Sequence, residues 1–434
     1  MTIWLGQLVS TTGSYMTEFA IELWTWELTG SATALALAAF FAQLPRIPVT
    51  LVAGILVDRI NRKLLMMLGD AIAALSTLAI LLLYATDSLH IWHIYLISAV
   101  NGGFAQVQSL AYSTSLALIV PQQHYTRASS MDSIVHYGSA IVAPALAGLL
   151  YPVIGLVGIA LIDLMTFAMA IATLLSISIP QPQPLTHQPV KSFAALASTL
   201  WQDMTFGVHY IWTHASLRAL LGVTLLFWFA HDLGGAIYHP MLLARTNSDA
   251  AVLGSIASAA GIGGVTGGIV LSISGGPKRR VHGMLLGFIG AGLSKIVVGL
   301  GRSPVVWLPA QFCSSLNFPL LGSSETAIWM TQIAPDIQGR VFAANSLGLQ
   351  VVSAIATLIA GPLGDRVFEP AMQSNSQLAS LFSPIVGTGA GSGMALLYIM
   401  TSVGLLIVGI SGYALPKLQQ VEEGHPAQPN DVSS

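Results

Sequence analysis

Long apolar stretches recur along this chain at a length that only a hydrocarbon solvent explains. A helix crossing the bilayer core needs about 20 mostly apolar residues. Cutting the sequence at its charge clusters and its Pro, Gly and Asn turns yields twelve such segments. They run over 3–28, 32–57, 64–85, 91–119, 127–150, 155–179, 217–243, 250–273, 281–301, 304–333, 340–368 and 393–415, and the long segments 91–119 and 304–333 are expected to tilt or kink. Charge agrees with this reading: Asp, Glu, Lys and Arg make up only 8% of 434 residues, against about 25% in a soluble domain. So few charges cannot clothe a water-facing surface of that size, which excludes a soluble multidomain protein and a disordered chain. A net charge of −2 offers no footprint for nucleic acid. The fold class expected is an all-α membrane protein with twelve transmembrane helices.

Lys and Arg orient the spans. With the N-terminus inside, Arg59, Arg62, Lys63, Arg127, Lys191, Arg218, Lys278, Arg279, Arg280, Arg340 and Lys417 fall on the cytoplasmic side. Only Arg245, Arg302 and Arg366 fall outside, while Arg46 and Lys295 lie within spans. Both termini are therefore expected to be cytoplasmic, with the protein in the cell (plasma or inner) membrane. The first apolar stretch lacks the basic head and small-residue cleavage site of a secretory signal. The chain opens inside a helix-like run at Met1–Trp4, as if a few residues preceded it. Its single cysteine, Cys313, allows no internal disulfide.

The six spans before residue 180 echo the six after residue 216 at an offset near 214. Gly54-Ile-Leu-Val-Asp58 aligns with Gly268-Ile-Val-Leu-Ser272, and each is followed by a basic turn. Pro121 and Arg127 match Pro335 and Arg340, and Ala143-Pro144 has a looser counterpart in Gly361-Pro362. The organisation expected is an N-terminal six-helix bundle (1–179), a linker with an amphipathic surface helix (180–216), a second, pseudo-symmetric six-helix bundle (217–415) and a disordered cytoplasmic tail (416–434). Repeated six-helix halves are the architecture of secondary transporters, whose substrate sites lie near the bilayer midplane.

Gly54-x-x-x-Asp58-Arg59-x-Asn61-Arg62-Lys63 resembles the loop 2–3 signature of the major facilitator superfamily. Asn61 stands where that pattern usually has Gly, and both residue types tolerate a turn. Gly275-Gly-Pro-Lys-Arg-Arg280, Pro335-Asp-Ile-Gln-Gly-Arg-Val-Phe342 and Gly361-Pro-Leu-Gly-Asp-Arg-Val-Phe-Glu-Pro370 are similar to one branch of it. That branch is the macrolide-efflux-like drug:proton antiporters, which also includes siderophore exporters. The resemblance implies alternating access by rocking of two halves, driven by a proton gradient with no other cofactor. Its partners would be protons, membrane lipid and a small amphipathic substrate, and a monomer is expected. Asp58 ends a helix where a carboxylate can pair with a basic residue or a nearby helix N-terminus. Arg340 is its natural partner in a charge-assisted latch, while Arg59, Arg62 and Lys63 either share in that latch or only set topology. The fifth span, Gly138-x-x-x-x-Ala143-Pro144-x-x-Ala147-Gly148, partly resembles the antiporter motif of drug exporters, with alanine at two expected glycines. Close helix packing explains it equally well.

An ionisable residue inside a span is costly, so it marks a functional hypothesis. Glu18 and Glu22 stand at i and i+4 on span 1, and Asp232 in span 7 falls 214 residues after Glu18. In the resembled family, spans 1 and 7 line the central cavity. Arg46, between Pro45 and Pro48, lies at a depth from which it could reach Glu18, and Lys295 with Glu325 makes a second possible pair. A coupling carboxylate must bind a proton on one side and release it on the other. Glu18 is the first choice, followed by Glu22, Asp232 and Glu325; a static ion pair with Arg46 is the competing reading for Glu18, and water exposure for Glu22. Asp70 and Asp163 read as helix-to-helix hydrogen-bonding residues, and His136, His231 and His239 as packing or hydrogen-bonding ones. Tyr15, Phe19, Phe41 and Trp228 offer aromatic surface to an amphipathic ligand.

Other classes fit poorly. No Gly-x-x-x-x-Gly-Lys-Ser/Thr phosphate loop marks a primary pump, and no His-Glu-x-x-His marks an intramembrane metalloenzyme. His90-x-x-His93 lies in an outer loop without matching ligands, so no metal site is expected. A siderophore exporter and a lysophospholipid or lipid transporter on the same fold remain as alternatives to drug export. Asp58→Asn is expected to cut transport in reconstituted vesicles while the purified protein keeps its helical spectrum. Full transport would remove the latch.

Overall fold

In the computed structural model, residues 2–119, 125–175, 193–372 and 376–422 are described, and no β-strand occurs among them. Span 1 is α1 (Thr2–Thr29). Span 2 is broken into α2 (Ala32–Gln43) and α3 (Arg46–Arg59) at Leu44-Pro45, where proline has no amide hydrogen to continue the ladder. Ser31 starts α2 by accepting from the Ala34 amide. Asn61 does the same for Leu64 at the head of α4 (Arg62–Ala85), so the residue that departs from the loop signature serves as a helix cap. α5 (Ile91–Ile119) runs unbroken. α6 (Tyr125–Leu175) contains spans 5 and 6, separated at Gly155, whose φ of 61° suits a residue without a Cβ.

α7 (Phe193–Thr213) precedes span 7, which is α8 (Ala215–Thr246), and span 8 is α9 (Ala250–Ser274). Span 9 is α10 (Arg280–Leu300). Span 10 kinks at Asn317, between α11 (Pro304–Leu316) and α12 (Phe318–Gln332), with Pro319 in the first turn of the second piece. α13 (Gln338–Leu363) passes through a π turn at Gly364–Phe368 into α14 (Glu369–Ala371). A short helix, α15 (Gln377–Val386), precedes span 12, α16 (Ser392–Tyr413). Eight helical stretches among the described residues are long and apolar enough to cross a membrane, and one of them, Gly138–Leu175, holds two spans. The more polar α1 and α5 and the kinked α11–α12 pair complete twelve. Val153, Ile273 and Val305 are among many large apolar side chains left exposed, as lipid-facing surface requires.

The described residues form two compact units. The first comprises Met1–His187 with His239–Gly261, and the second Gln188–Tyr238 with Ile262–Ser434. In the first, α1 packs on α6, and α4 and α5 close the bundle. A Cβ built on Gly148 would overlap the Ala250 carbonyl of α9, and one on Gly254 the Pro144 carbonyl of α6. Gly148 of the fifth-span motif and Gly254 of α9 thus let two helix backbones touch. In the second unit α10 is the central helix, packed against α11, α12 and α16. Its core stacks Phe227 on Phe288 at 3.8 Å and buries Leu321, Ile328, Val341 and Tyr210 around them. α7 belongs to this unit, lying on α13 so closely that a Cβ on Gly207 would overlap the Arg340 carbonyl.

Two carboxylates cap helices from elsewhere in the second unit. Glu369 Oε1 accepts from the Gly391 amide at 2.5 Å and Oε2 from Met394 at 3.1 Å, at the start of α16. Glu422 accepts from the Arg280 amide at 2.8 Å, at the start of α10. The segment expected to be disordered from Pro416 instead carries α17 (Pro416–Gln419) and is helical to Glu422, whose carboxylate satisfies orphan amides at the start of α10. Residues 423–434, like the proline-rich stretch 176–192, lie outside the described residues. Glu369→Ala is expected to destabilise the protein by about 1–2 kcal/mol, read as an earlier midpoint of denaturant unfolding in mild detergent.

Candidate functional site

α1 presents two faces. Met16, Thr17, Phe19, Ala20 and Leu23 are buried, whereas Tyr15 and Glu22 are half-buried and Glu18 is exposed. Helical phase thus corrects the expectation for Phe19, which is 5% exposed and offers little surface to a ligand. Glu18 feels the charges of Glu22, Arg46 and His239, but no hydrogen bond or ion pair joins it to Arg46 among the described residues, and Arg46 is exposed. The static pair is not formed. Glu22 Oε1 instead lies 2.6 Å from His239 Nδ1, on the part of α8 that belongs to the same unit. This fits the reading of His239 as a packing or hydrogen-bonding residue; the sequence does not reveal the partner, which is 217 residues away. Phe41 stacks on Tyr95 with ring centroids 5.3 Å apart, leaving it half-buried in an aromatic pair.

In the second unit, Asp232 is half-buried, with Oδ1 3.3 Å from the neighbouring His231 Nδ1. Lys295 is 7% exposed and holds its ammonium 5.5 Å from the centre of the Tyr398 ring. Asp232 is the charge acting on it. Glu325, 8% exposed, has the indoles of Trp228 and Trp329 beside it. The expected Lys295–Glu325 pair therefore does not form: Lys295 on α10 turns to α8 and α16, and Glu325 on α12 sits among tryptophans. Trp228 and Phe318 flank His231 at centroid distances of 5.1 Å and 5.0 Å. Acid, base and aromatic side chains here share one polar interior.

The loop-signature residues divide. Arg62 is buried and donates from Nη1 to the Thr114 carbonyl at 2.9 Å, tying α4 to α5. Lys63 Nζ donates to the Leu175 carbonyl at 3.3 Å. The surroundings of Gly54 and the side chains of Asp58 and Arg59 lie outside what the structure describes. The carboxylate that Arg340 holds is Asp203 of α7, 2.9 Å from its Nε, with the guanidinium 5.3 Å from the Phe206 ring centre. Nothing in the motif Pro335–Phe342 signals that partner, since α7 reads from sequence only as a surface helix.

Twelve apolar spans, with ionisable side chains held inside several of them, define a multi-pass membrane transporter. The Major Facilitator Superfamily model matches residues 3–357, and the chain belongs to that family; it is a transporter and not an enzyme. It is similar to macrolide efflux protein A of Streptococcus pyogenes, 26% identical over 370 residues, covering 84% of this chain and 89% of that protein. It is also similar to the multidrug efflux pump Tap of Mycolicibacterium fortuitum, 21% identical over 429 residues and 97% of each chain. Among solved structures, that of a POT family transporter in complex with a thioalcohol conjugated peptide superposes with a TM-score of 0.69, at 12% identity and 95% of each chain. That likeness concerns the fold.

The Glu22–His239 contact has a measurable consequence. Glu22→Gln and His239→Gln should each lower stability, and the double variant should cost less than the sum, leaving a coupling energy of about 1 kcal/mol. Strict additivity in a double-mutant cycle would show that the two side chains do not interact.

Proposed function

We propose that this protein is a proton-coupled exporter of small amphipathic compounds, macrolides or other drug-like molecules, working by alternating access in the cell membrane with both termini cytoplasmic. The observation that carries the reading is the acidic face of α1, where Glu18 is exposed one turn from Glu22 and its partner His239. A carboxylate that is reachable by water yet surrounded by apolar spans has what coupling needs, because a change in access changes its affinity for a proton. The names of the efflux relatives support export and a drug-like substrate, and the placement of eleven basic residues on one side against three on the other supports the orientation. Asp232, Lys295 and Glu325 form a second group of ionisable residues that the same cycle could use. Half-buried Tyr15, Phe41 and Trp228 remain the aromatic residues proposed to meet the substrate.

Glu18→Gln separates coupling from transport. In proteoliposomes the variant should retain counterflow of a fluorescent macrolide and lose accumulation driven by an imposed pH gradient. Gradient-driven accumulation at the wild-type level would remove Glu18 from the coupling mechanism. Equal drug accumulation in pump-deficient cells with and without the protein would instead overturn the drug-export reading.

A further inference from the structure

We propose that Asp163, together with hydroxyls of α1, α4 and α6, forms a buried binding site for one small monovalent cation, Na+ or a proton. Asp163 lies on α6 and is 1% exposed. Thr77 Oγ1 of α4 donates to its Oδ2 at 3.0 Å. Ser14 and Thr17 of α1 and Thr166 of α6 also place hydroxyls beside the carboxylate. Every neighbouring polar group is thus an uncharged oxygen. Among the described residues no basic side chain pairs with the carboxylate: Arg62 and Lys63 at the head of α4 donate to the Thr114 and Leu175 carbonyls, and the charged groups of α1 are the acids Glu18, Glu22 and Glu27. On α4, the one other acid is Asp70, which is occupied by Gln108 at 2.6 Å.

Hydrogen-bond accounting points the same way. Asp163 Oδ1 and Thr17 Oγ1 are both buried without a hydrogen-bond partner. A buried carboxylate that has no cation beside it, and an orphan oxygen facing it, is an expensive arrangement. A small hard cation removes the cost by taking oxygen ligands, and a proton removes it by neutralising the charge. Gly13, one turn before Thr17, keeps the place open: a Cβ there would stand 3.0 Å from Asp163 Oδ1 and overlap Thr166 Oγ1. Ser14 and Thr17 share α1 with Glu18, so an ion bound here would stiffen the helix that carries the proposed coupling acid. The inference stands without the exporter reading, because it concerns binding and needs no substrate.

The test uses the full chain, purified in detergent. NaCl is titrated against choline chloride at alkaline pH while thermal unfolding is followed. Separately, infrared difference spectra are recorded across a pH titration without Na+. If Na+ is the ligand, it raises the wild-type unfolding temperature and Asp163→Asn loses that rise. If the proton is the ligand, Na+ has no such effect and one protonated-carboxyl band is present in wild type and absent in Asp163→Asn. Thr17→Val and Thr77→Val, which keep the carboxylate, should weaken the Na+ response or shift the carboxyl titration, and they decide the matter if Asp163→Asn fails to fold. Identical Na+ and pH responses in wild type and in all folded variants would overturn the proposal.

Discussion

A peptide N–H or C=O carried into hydrocarbon has no water to bond, and an ion carried there loses its hydration as well. The first cost makes each span a helix that satisfies itself. It also explains where this chain departs from regular helix. The breaks at Pro45 and Asn317 sit where a missing amide hydrogen or a side-chain amide already interrupts the ladder, and Asn317 Nδ2 donates to the Cys313 carbonyl at 2.7 Å. Helix ends then become the places where polar atoms are scarce. Glu369 and Glu422 supply acceptors to the first amides of α16 and α10, and Arg302 supplies a donor to the Pro384 and Ile385 carbonyls at the end of α15.

The second cost sorts the ionisable residues inside spans into kinds. Arg62, at the head of α4, is buried and donates to the Thr114 carbonyl of α5. Lys295 rests over an aromatic face and near an acid, which compensates for burial from two sides. Glu22 has His239. Glu18 is exposed, and Asp163 has only hydroxyls beside it among the described residues. Glu18 has Arg46 and His239 near it without a bond to Arg46, Asp163 has no charged neighbour among the described residues, and both lie along α1 or against it. A helix with one open acidic face and one face closed on a buried carboxylate can report the state of either to the other.

Much of this was legible in the residues. Run length and the scarcity of charge determine twelve helical spans, because hydrocarbon thickness sets the length of a span and solvation limits its charge. The loop signature and the later motifs point to the family that the match over residues 3–357 establishes. The kink at Asn317 falls in a segment whose length predicts one, whereas the break at Pro45 divides a span read as continuous. Partners were not legible. Asp203 lies against Arg340 from a helix that reads only as a surface helix; Lys295 faces Tyr398 and Asp232 in place of Glu325; Glu22 meets a histidine 217 residues away.

The sequence by itself determined that this chain lives in lipid, how many times it crosses, and which few side chains carry charge into the membrane. Those properties depend on composition along one helix at a time, which is a one-dimensional quantity. Only the tertiary structure decided which of those charges are paired, open or enclosed. That outcome depends on how each helix is rotated about its axis and which distant segment lies against it. A rotation by one residue would exchange Phe19 for Glu18 on the closed face of α1, and no count of residues along the chain contains that angle.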